Sequence, residues 1–456
     1  MSHNSAVILA AGNGTRLKSS TPKVLQKIGG LTLLDHLIKS VKKSKIEEII
    51  IVSKPSFNLN DLEYAKDVSL AFQEIPNGTG DAVKCGLKNI STKKNGWVYI
   101  LYGDIPFVSS ETLEKLFDIA NIDDKTGIVV LGMRERNSNS DLGKLEPAEE
   151  PGAIKRIVEA KDAARFLPSE KNKLIPLCNA GLLVKKTVLA DFIDHIKPSD
   201  VTGEIYITEI VKLAYSTGVK CRYLEGKTDE LSGINTCSEL AAMEKIFQDK
   251  MRKKHIENGV KLIAPETVFF SHDTEIENDV TVHPYVVFLA GAQVKSGSII
   301  NPFCVIEGSK ITDAQVGPFA RLRTGSEIYE KAKIGNFVEI KNSVISEKSK
   351  VNHLSYVGDS FVGKNTNIGA GSITCNYDGF QKHKTTIGEN VFIGSNSAII
   401  APLNIGDNAL IGAGSVITKD INDEDFAVSR CKQINYEKGA AHFRKNAQKK
   451  TSEKAI

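Results

Sequence analysis

Along the second half of this chain one apolar residue returns every six positions. Ile387, Ile393, Ile399, Ile405, Ile411 and Ile417 keep that interval, and glycine follows four of them, at Gly388, Gly394, Gly406 and Gly412. On an α-helix a step of six advances roughly 240°, which would scatter these side chains over three faces, and a coiled coil repeats at seven. One long strand would align them, but Gly-Glu-Asn, Gly-Ser-Asn and Gly-Asp-Asn interrupt the run, and such clusters end strands. The pattern predicts short strands wound into a coil, each sending one apolar side chain inward, with successive coils stacked. The beat extends back through Val282, Phe288, Val294, Ile300 and Ile306, slips by one at Ile311 and Val316, and resumes at Leu322, Ile328, Ile334 and Ile340. Val351, Val357 and Ile368 continue it less regularly. It breaks between Ile373 and Ile387, where Thr374-Cys375-Asn376-Tyr377-Asp378-Gly379 is expected to leave the coil as a loop.

The N-terminal half carries a different pattern. Short apolar runs alternate with helical spacing, which predicts α/β layers. Ala6–Ala11 reads as a buried strand running into a glycine-rich loop, Leu33–Lys43 as a helix, and Glu48–Val52, Trp97–Tyr102, Ile128–Leu131 and Gly181–Val184 as further strands. Residues 239–254 are rich in Glu, Lys, Ala, Met and Leu without glycine or proline, and predict one linking helix. The expected division is 1–232 for the α/β domain, 233–254 for the linker, 255–430 for the coil and 431–456 for a tail. That tail holds seven Lys or Arg against two acids, so it reads as a solvated, frayed terminus or as a basic segment closing onto an anionic ligand.

Composition narrows the partners. A length of 456 residues suits two or three domains. The balance of 59 basic against 55 acidic residues leaves only +4, which gives no field for nucleic acid. Seven cysteines form no CxxC pair, as expected of a reduced cytoplasmic enzyme. No segment reads as a secretion signal or a membrane span, so no membrane partner is expected.

The loop Leu9-Ala10-Ala11-Gly12-Asn13-Gly14-Thr15-Arg16 follows a strand, and glycines there let backbone N–H groups approach phosphate oxygens. Alone, Gly-x-Gly suits a plain turn equally well. Leu17 fills the third glycine position of the dinucleotide fingerprint, and no Gly-Lys-Ser/Thr of a Walker loop follows. Arg16 and Lys23 add two cations beside the loop, which suits a triphosphate. The order Leu-Ala-Ala-Gly-x-Gly-Thr-Arg, then Pro22-Lys23, closely resembles the nucleotide-sugar pyrophosphorylases. Gln73, Gly78-Thr79-Gly80, Tyr102-Gly103-Asp104, Gly143, Glu159, Asn179 and Asn235 then follow in family order. The coiled half resembles the hexapeptide-repeat acyltransferases. Together the two halves resemble, over nearly the whole chain, the bacterial bifunctional enzymes that join a uridyltransferase to an acetyltransferase.

The resemblance implies a Rossmann-like α/β nucleotidyltransferase domain followed by a left-handed parallel β-helix, in a cytoplasmic homotrimer. It implies acetylation of glucosamine 1-phosphate by acetyl-CoA, then uridylylation of N-acetylglucosamine 1-phosphate by UTP, with pyrophosphate released. The product would feed peptidoglycan and lipopolysaccharide synthesis. Leu9, Ala10, Ala11, Gly12, Lys23, Tyr102 and Gly103 would line the nucleotide site, with Gln73, Gly78 and Thr79 on the uracil side. Gly143, Glu159 and Asn179 would hold the amino sugar, and Asp104 and Asn235 would hold Mg²⁺. Arg16 and Lys23 would stabilise the charge that develops at the phosphates. Asp81 and Ala180 stand where relatives commonly carry histidine and threonine, and Thr324 where proline is frequent.

In the coil, His353 is the candidate base, since imidazole titrates near working pH. Arg323 and Lys341 lie eighteen residues apart, about one coil, so they are expected to stack on one wall as a phosphate clamp or as a solvated basic face. The resemblance adds Tyr356 and Asn367 as sugar contacts, and Ala370, Asn376, Tyr377, Ser395, Ala413 and Arg430 as acetyl-CoA contacts, with the loop at Asn376 reaching toward a neighbouring subunit. Cys375 as an acyl carrier ranks below direct transfer, because no histidine motif pairs with it. Two other readings make the coil a trimerisation module alone, or a zinc hydratase, which would need several coil-spaced histidines.

Overall fold

The computed structural model describes residues 3–12, 14–90, 95–134, 143–163 and 174–453. It divides into Met1–Lys250 and Met251–Ile456.

The first unit is built on one twisted sheet. From edge to edge it runs Lys220–Gly226, Thr126–Arg134, Leu177–Lys185, Trp97–Tyr102, Ser5–Leu9, Glu48–Ser53 and Ser69–Phe72. The pair Lys144–Pro147 and Ile154–Val158 attaches to Leu177–Lys185. Ile8, Ile50, Ile51, Ile100 and Leu101 are fully buried, as expected of central strands covered on both faces. The sheet is mixed, because Leu177–Lys185 runs antiparallel to both neighbours. Helix Leu33–Lys42 starts where Thr32 accepts the Asp35 N–H at 3.0 Å and donates back to Asp35 Oδ2 at 2.6 Å, a reciprocal cap. Its stripe of Leu34, Leu37, Ile38 and Val41 packs on the sheet. Strand Ser5–Leu9 lies parallel to Trp97–Tyr102 with Leu9 beside Tyr102. Their carboxyl ends therefore open together, the edge where α/β sheets bind ligands. The strand expected to reach Ala11 stops at Leu9, and the linking helix is longer than expected, Cys237–Glu257.

In the second unit, strands of two to four residues run from Lys261–Leu262 to Phe426–Ala427. They stack into three parallel sheets of ten, eight and eight strands, the arrangement of a left-handed parallel β-helix. The inward residues are those of the beat, with Val282, Ile300, Ile306, Leu322 and Ile340 fully buried. The slips are corners shortened by one residue, which bring Ile345 and Val362 inward. At the break the structure corrects the expected loop. Thr374 is the inward residue, 3% exposed, whereas Ile373 is 46% exposed. Strand Ile373–Cys375 still belongs to the coil, and the chain leaves it at Asn376. The tail is likewise not frayed throughout, since Gly439–Glu453 forms a helix.

Most corners take a left-handed residue. Tyr285, Phe303, Phe319 and Phe337 take that role at φ 60, 63, 54 and 56°, a cost for a residue bearing Cβ. Their rings stack at 5.0, 4.7 and 5.1 Å, which offsets part of it. Elsewhere the coils approach too closely for any side chain. A Cβ on Gly394 would lie 2.4 Å from the Ala413 backbone nitrogen. Gly394→Ala is expected to overpack the corner by about 1–3 kcal/mol, lowering the calorimetric Tm of this unit by roughly 2–4 °C per kcal/mol.

Candidate active sites

At the carboxyl edge of the first unit lies a cavity of about 290 Å³. Its walls include Leu9, Ala10, Ala11, Gly12, Lys23, Gln73, Gly78, Thr79, Tyr102 and Asp104, together with Val24, Pro76, Ala82 and Glu204. Gly78, at φ 110°, packs so tightly that a Cβ would sit 2.5 Å from the Ile205 carbonyl oxygen. Only glycine lets helix Thr79–Leu87 begin there. Lys23 Nζ donates to Asp104 Oδ2 at 2.5 Å and to Asn235 Oδ1 at 3.0 Å. An ammonium thus sits between the two oxygens expected to hold a metal. Gly103 is tied by its N–H to the Leu9 carbonyl at 2.9 Å.

Tyr102 leads from this cavity to the other expected sugar contacts. Asn179 Nδ2 donates to the Tyr102 hydroxyl at 2.8 Å, and its backbone N–H donates to the Gly143 carbonyl at 2.9 Å. Glu159 accepts a hydrogen bond from the Thr208 hydroxyl at 2.6 Å, and a Cβ on Gly143 would lie 3.2 Å from Glu159 Oε1. Burial raises the Glu159 carboxyl above its ordinary range, and burial raises the Tyr102 hydroxyl too. Arg16 is exposed on the turn Thr15–Leu17, outside the cavity lining. Among the described residues no three acidic, histidine or cysteine side chains cluster as for a metal. One carboxylate and one amide oxygen remain suitable for a hard cation that keeps waters and phosphate oxygens as its other ligands.

In the β-helix, Arg323 and Lys341 occupy matching positions on consecutive coils. Arg323 Nη1 lies 3.0 Å from Glu339 Oε1, and Lys341 Nζ 3.4 Å from Asp359 Oδ2. Lys382 joins them from the loop, and the neighbouring Lys341 charge holds its amine below the ordinary lysine range. Asp359 also accepts from Asn342 Nδ2 at 2.7 Å and from Asn376 Nδ2. Asn376 reaches the Tyr356 hydroxyl at 3.4 Å over Gly358, where a side chain would collide with both. Tyr377 is 60% exposed and its hydroxyl donates to the Gly379 carbonyl at 2.6 Å.

His353 stands at the corner that leads into this wall, three residues before Tyr356. Its Nδ1 lies 2.6 Å from Asn336 Oδ1, one coil earlier in register. With that oxygen as acceptor, Nδ1 carries the hydrogen and Nε2 presents its lone pair. Above His353 the same corner continues through backbone bonds. Gly371 N–H donates to the His353 carbonyl at 3.2 Å, Asn396 N–H to Ala370 at 2.8 Å and Gly414 N–H to Ser395 at 2.8 Å. Arg430 Nη1 donates to the Ala413 carbonyl at 2.6 Å. Ala370, Ser395, Ala413 and Arg430 therefore climb one edge above the imidazole. Asn367 is not on the Arg323–Lys341 wall. It pairs with Lys350 and Phe392 in the sheet on the other side of that corner.

A family model for MobA-like NTP transferase domains matches residues 6–167. Models for the bacterial transferase hexapeptide (six repeats) and for the hexapeptide repeat of succinyl-transferase match 273–308 and 384–419. A protein of Zymomonas mobilis described as bifunctional protein GlmU is 41% identical over 98% of both chains. Proteins of the same description from Wolbachia pipientis and Paracoccus denitrificans are 42% and 41% identical over 94% of this chain, covering 97% and 94% of theirs. The chain belongs to the GlmU family.

Within this GlmU family member, sequence reasoning passed over Asn336, Lys382, Asp359 and Glu204. Asn336 was within reach of the pattern, because one coil before His353 falls seventeen residues earlier where a corner is shortened. Lys382 and Asp359 were not, since the loop carrying Lys382 has no period. Asn336→Ala is expected to lower the acetyl-transfer turnover number about tenfold by freeing the imidazole to rotate and change tautomer. Steady-state kinetics should show little change in KM for the sugar phosphate. No helix among the described residues is long and apolar enough to cross a membrane.

Proposed function

We propose that this chain acetylates glucosamine 1-phosphate with acetyl-CoA in the β-helix and uridylylates N-acetylglucosamine 1-phosphate with UTP in the α/β unit. The observation that carries the reading is the convergence of Arg323, Lys341 and Lys382 beside a corner where His353 has its Nδ1 pinned and its Nε2 free. In acetyl transfer the three cations bind the phosphate. The amine attacks the thioester carbonyl, His353 Nε2 takes the amine proton, and the CoA thiolate leaves. The corner formed by Ala370, Ser395, Ala413 and Arg430 suits the length of CoA. Asn376 and Tyr377 belong to the loop beside the reacting groups.

In uridylyl transfer a phosphate oxygen of the sugar attacks the α-phosphorus of UTP, and pyrophosphate leaves with the electron pair of the broken P–O bond. Gln73, Gly78 and Thr79 receive the base. Gly143, Glu159 and Asn179 receive the sugar, and Lys23, with Arg16 from the turn Thr15–Leu17, offsets the developing charge. Asp104 and Asn235 would hold Mg²⁺, which supplies charge neutralisation at the phosphates when bound. The division at 1–232, 233–254, 255–430 and 431–456 assigns one reaction to each large segment.

A cytoplasmic homotrimer is part of the same proposal. The exposed ladder of Tyr285, Phe303, Phe319 and Phe337, each at least 46% exposed, supports contact with further copies. Light scattering at three chain masses is the expected result. The test of function is one incubation with UTP, Mg²⁺, acetyl-CoA and glucosamine 1-phosphate. Mass spectrometry should find UDP-N-acetylglucosamine, pyrophosphate and free CoA. No thiol release from that mixture, with pyrophosphate released once N-acetylglucosamine 1-phosphate is added, would reduce the β-helix to a structural role.

A further inference from the structure

We propose that Asp81 sets the base specificity of the nucleotide cavity by holding the Gln73 amide in one orientation, with only its oxygen facing the base. This deepens the uridylyl-transfer reading and rests on it. Gln73 is 4% exposed and lies on the cavity wall with Gly78 and Thr79. The two ends of a terminal amide have nearly the same shape, so its surroundings decide which end points where.

Here they decide it twice. One terminal atom of Gln73 lies 3.0 Å from the Gly78 carbonyl oxygen and 2.8 Å from Asp81 Oδ2. A backbone carbonyl and a carboxylate only accept, so the atom between them is Nε2. Gly78 O takes one of its hydrogens and Asp81 takes the other, in a charge-assisted bond. Nothing on Gln73 is left to donate, and Oε1 remains for the ligand.

A base meeting Oε1 must therefore bring an N–H. Uracil does so with N3–H. Cytosine in the same pose brings the lone pair of N3, acceptor against acceptor, and leaves a buried polar group unpaired. The Gly78 carbonyl alone would hold the amide by one bond, leaving the whole planar group free to swing and bring its second Nε2 hydrogen to a base acceptor. Asp81 is fixed for the task. It sits in the first turn of helix Thr79–Leu87, where an acid is favoured, and the start of that helix is pinned by Gly78 and Gly80 against Ile205. Asp81 acts through Gln73 and is a positioning residue.

The test compares kcat/KM for UTP and for CTP, with N-acetylglucosamine 1-phosphate, by pyrophosphate release from the full-length wild type, Asp81→Ala and Asp81→Asn. Asp81→Ala is expected to lower the UTP-to-CTP ratio about tenfold or more, the worth of a hydrogen bond to a charged group. Asp81→Asn keeps an acceptor oxygen and should fall between Asp81→Ala and wild type. A merely structural role would lower both nucleotides together and leave the ratio unmoved. The unfolding temperature of the α/β unit in the same preparations, followed by calorimetry, reports that the unit carrying Asp81 is folded. A wild-type ratio in Asp81→Ala, from a wild type that uses UTP, overturns the assignment. A wild type that releases no pyrophosphate from UTP overturns the uridylyl reading itself, and the two failures are thus distinct.

Discussion

His353→Ala is expected to lower acetyl transfer to glucosamine 1-phosphate by about 10²–10⁴-fold, the range for loss of a positioned general base, while uridylyl transfer is unchanged. The size follows from the geometry. Nδ1 is committed to Asn336 Oδ1 at 2.6 Å, so the imidazole offers a single nitrogen in a single direction, and no other side chain at that corner can take its place. Ala370, Ser395 and Ala413 carry no base, and Arg430 is bound to the Ala413 carbonyl. Thiol release reports the first reaction and pyrophosphate release the second. Comparable loss of both would refute the division of labour between the units. The substitution removes an exposed side chain, so the unfolding temperature should stay at the wild-type value.

How much of this was legible depends on whether a pattern was periodic. The β-helix was, because each inward residue must repeat for coils to stack, and Arg323 and Lys341 could be placed together by counting one coil. The same counting reaches Asn336. The rung at Thr374 escaped it. A buried threonine there keeps the six-residue step from Ile368, but an apolar Ile373 beside it draws the eye to the wrong register. In the α/β unit, Lys23, Asp104 and Asn235 are separated by 81 and 131 residues. No spacing rule joins them, and only the resemblance did so. That Lys23 bridges the other two is visible only in three dimensions. Arg16 shows the opposite case. Its place beside the glycine loop suggested a cavity residue, yet the short turn Thr15–Leu17 carries it outward. Asp81 was seen only as a departure from relatives, and its partner Gln73, eight residues earlier across a loop, gave it a role.

Lys23→Ala should lower uridylyl transfer about 10²–10³-fold, as loss of a preorganised charge at developing phosphate charge does, with acetyl transfer intact. Lys23 is unusually constrained for a lysine. It begins the short turn Lys23–Leu25 after Pro22. Its Cβ abuts the glycine loop so closely that a Cβ on Gly14 would lie 2.7 Å away. Its side chain is 14% exposed, and its ammonium is shared between Asp104 and Asn235. Pro22 and the glycine loop fix where this flexible chain starts, so part of its rotamer freedom is already lost before the ammonium would give way to Mg²⁺ on Asp104 and Asn235 and turn to the triphosphate. If Lys23 stabilises the transition state, kcat and kcat/KM should fall together. A rise in KM alone would mark it as a ground-state anchor. Lys23→Arg keeps the charge but replaces a compact ammonium with a planar fork that does not fit between one carboxylate and one amide oxygen. It should recover less than a tenth of the wild-type rate by pyrophosphate release, with the acetyl-transfer rate again serving as the internal control. Wild-type turnover in Lys23→Ala would remove the residue from the chemistry and leave Asp104 and Asn235 to account for it.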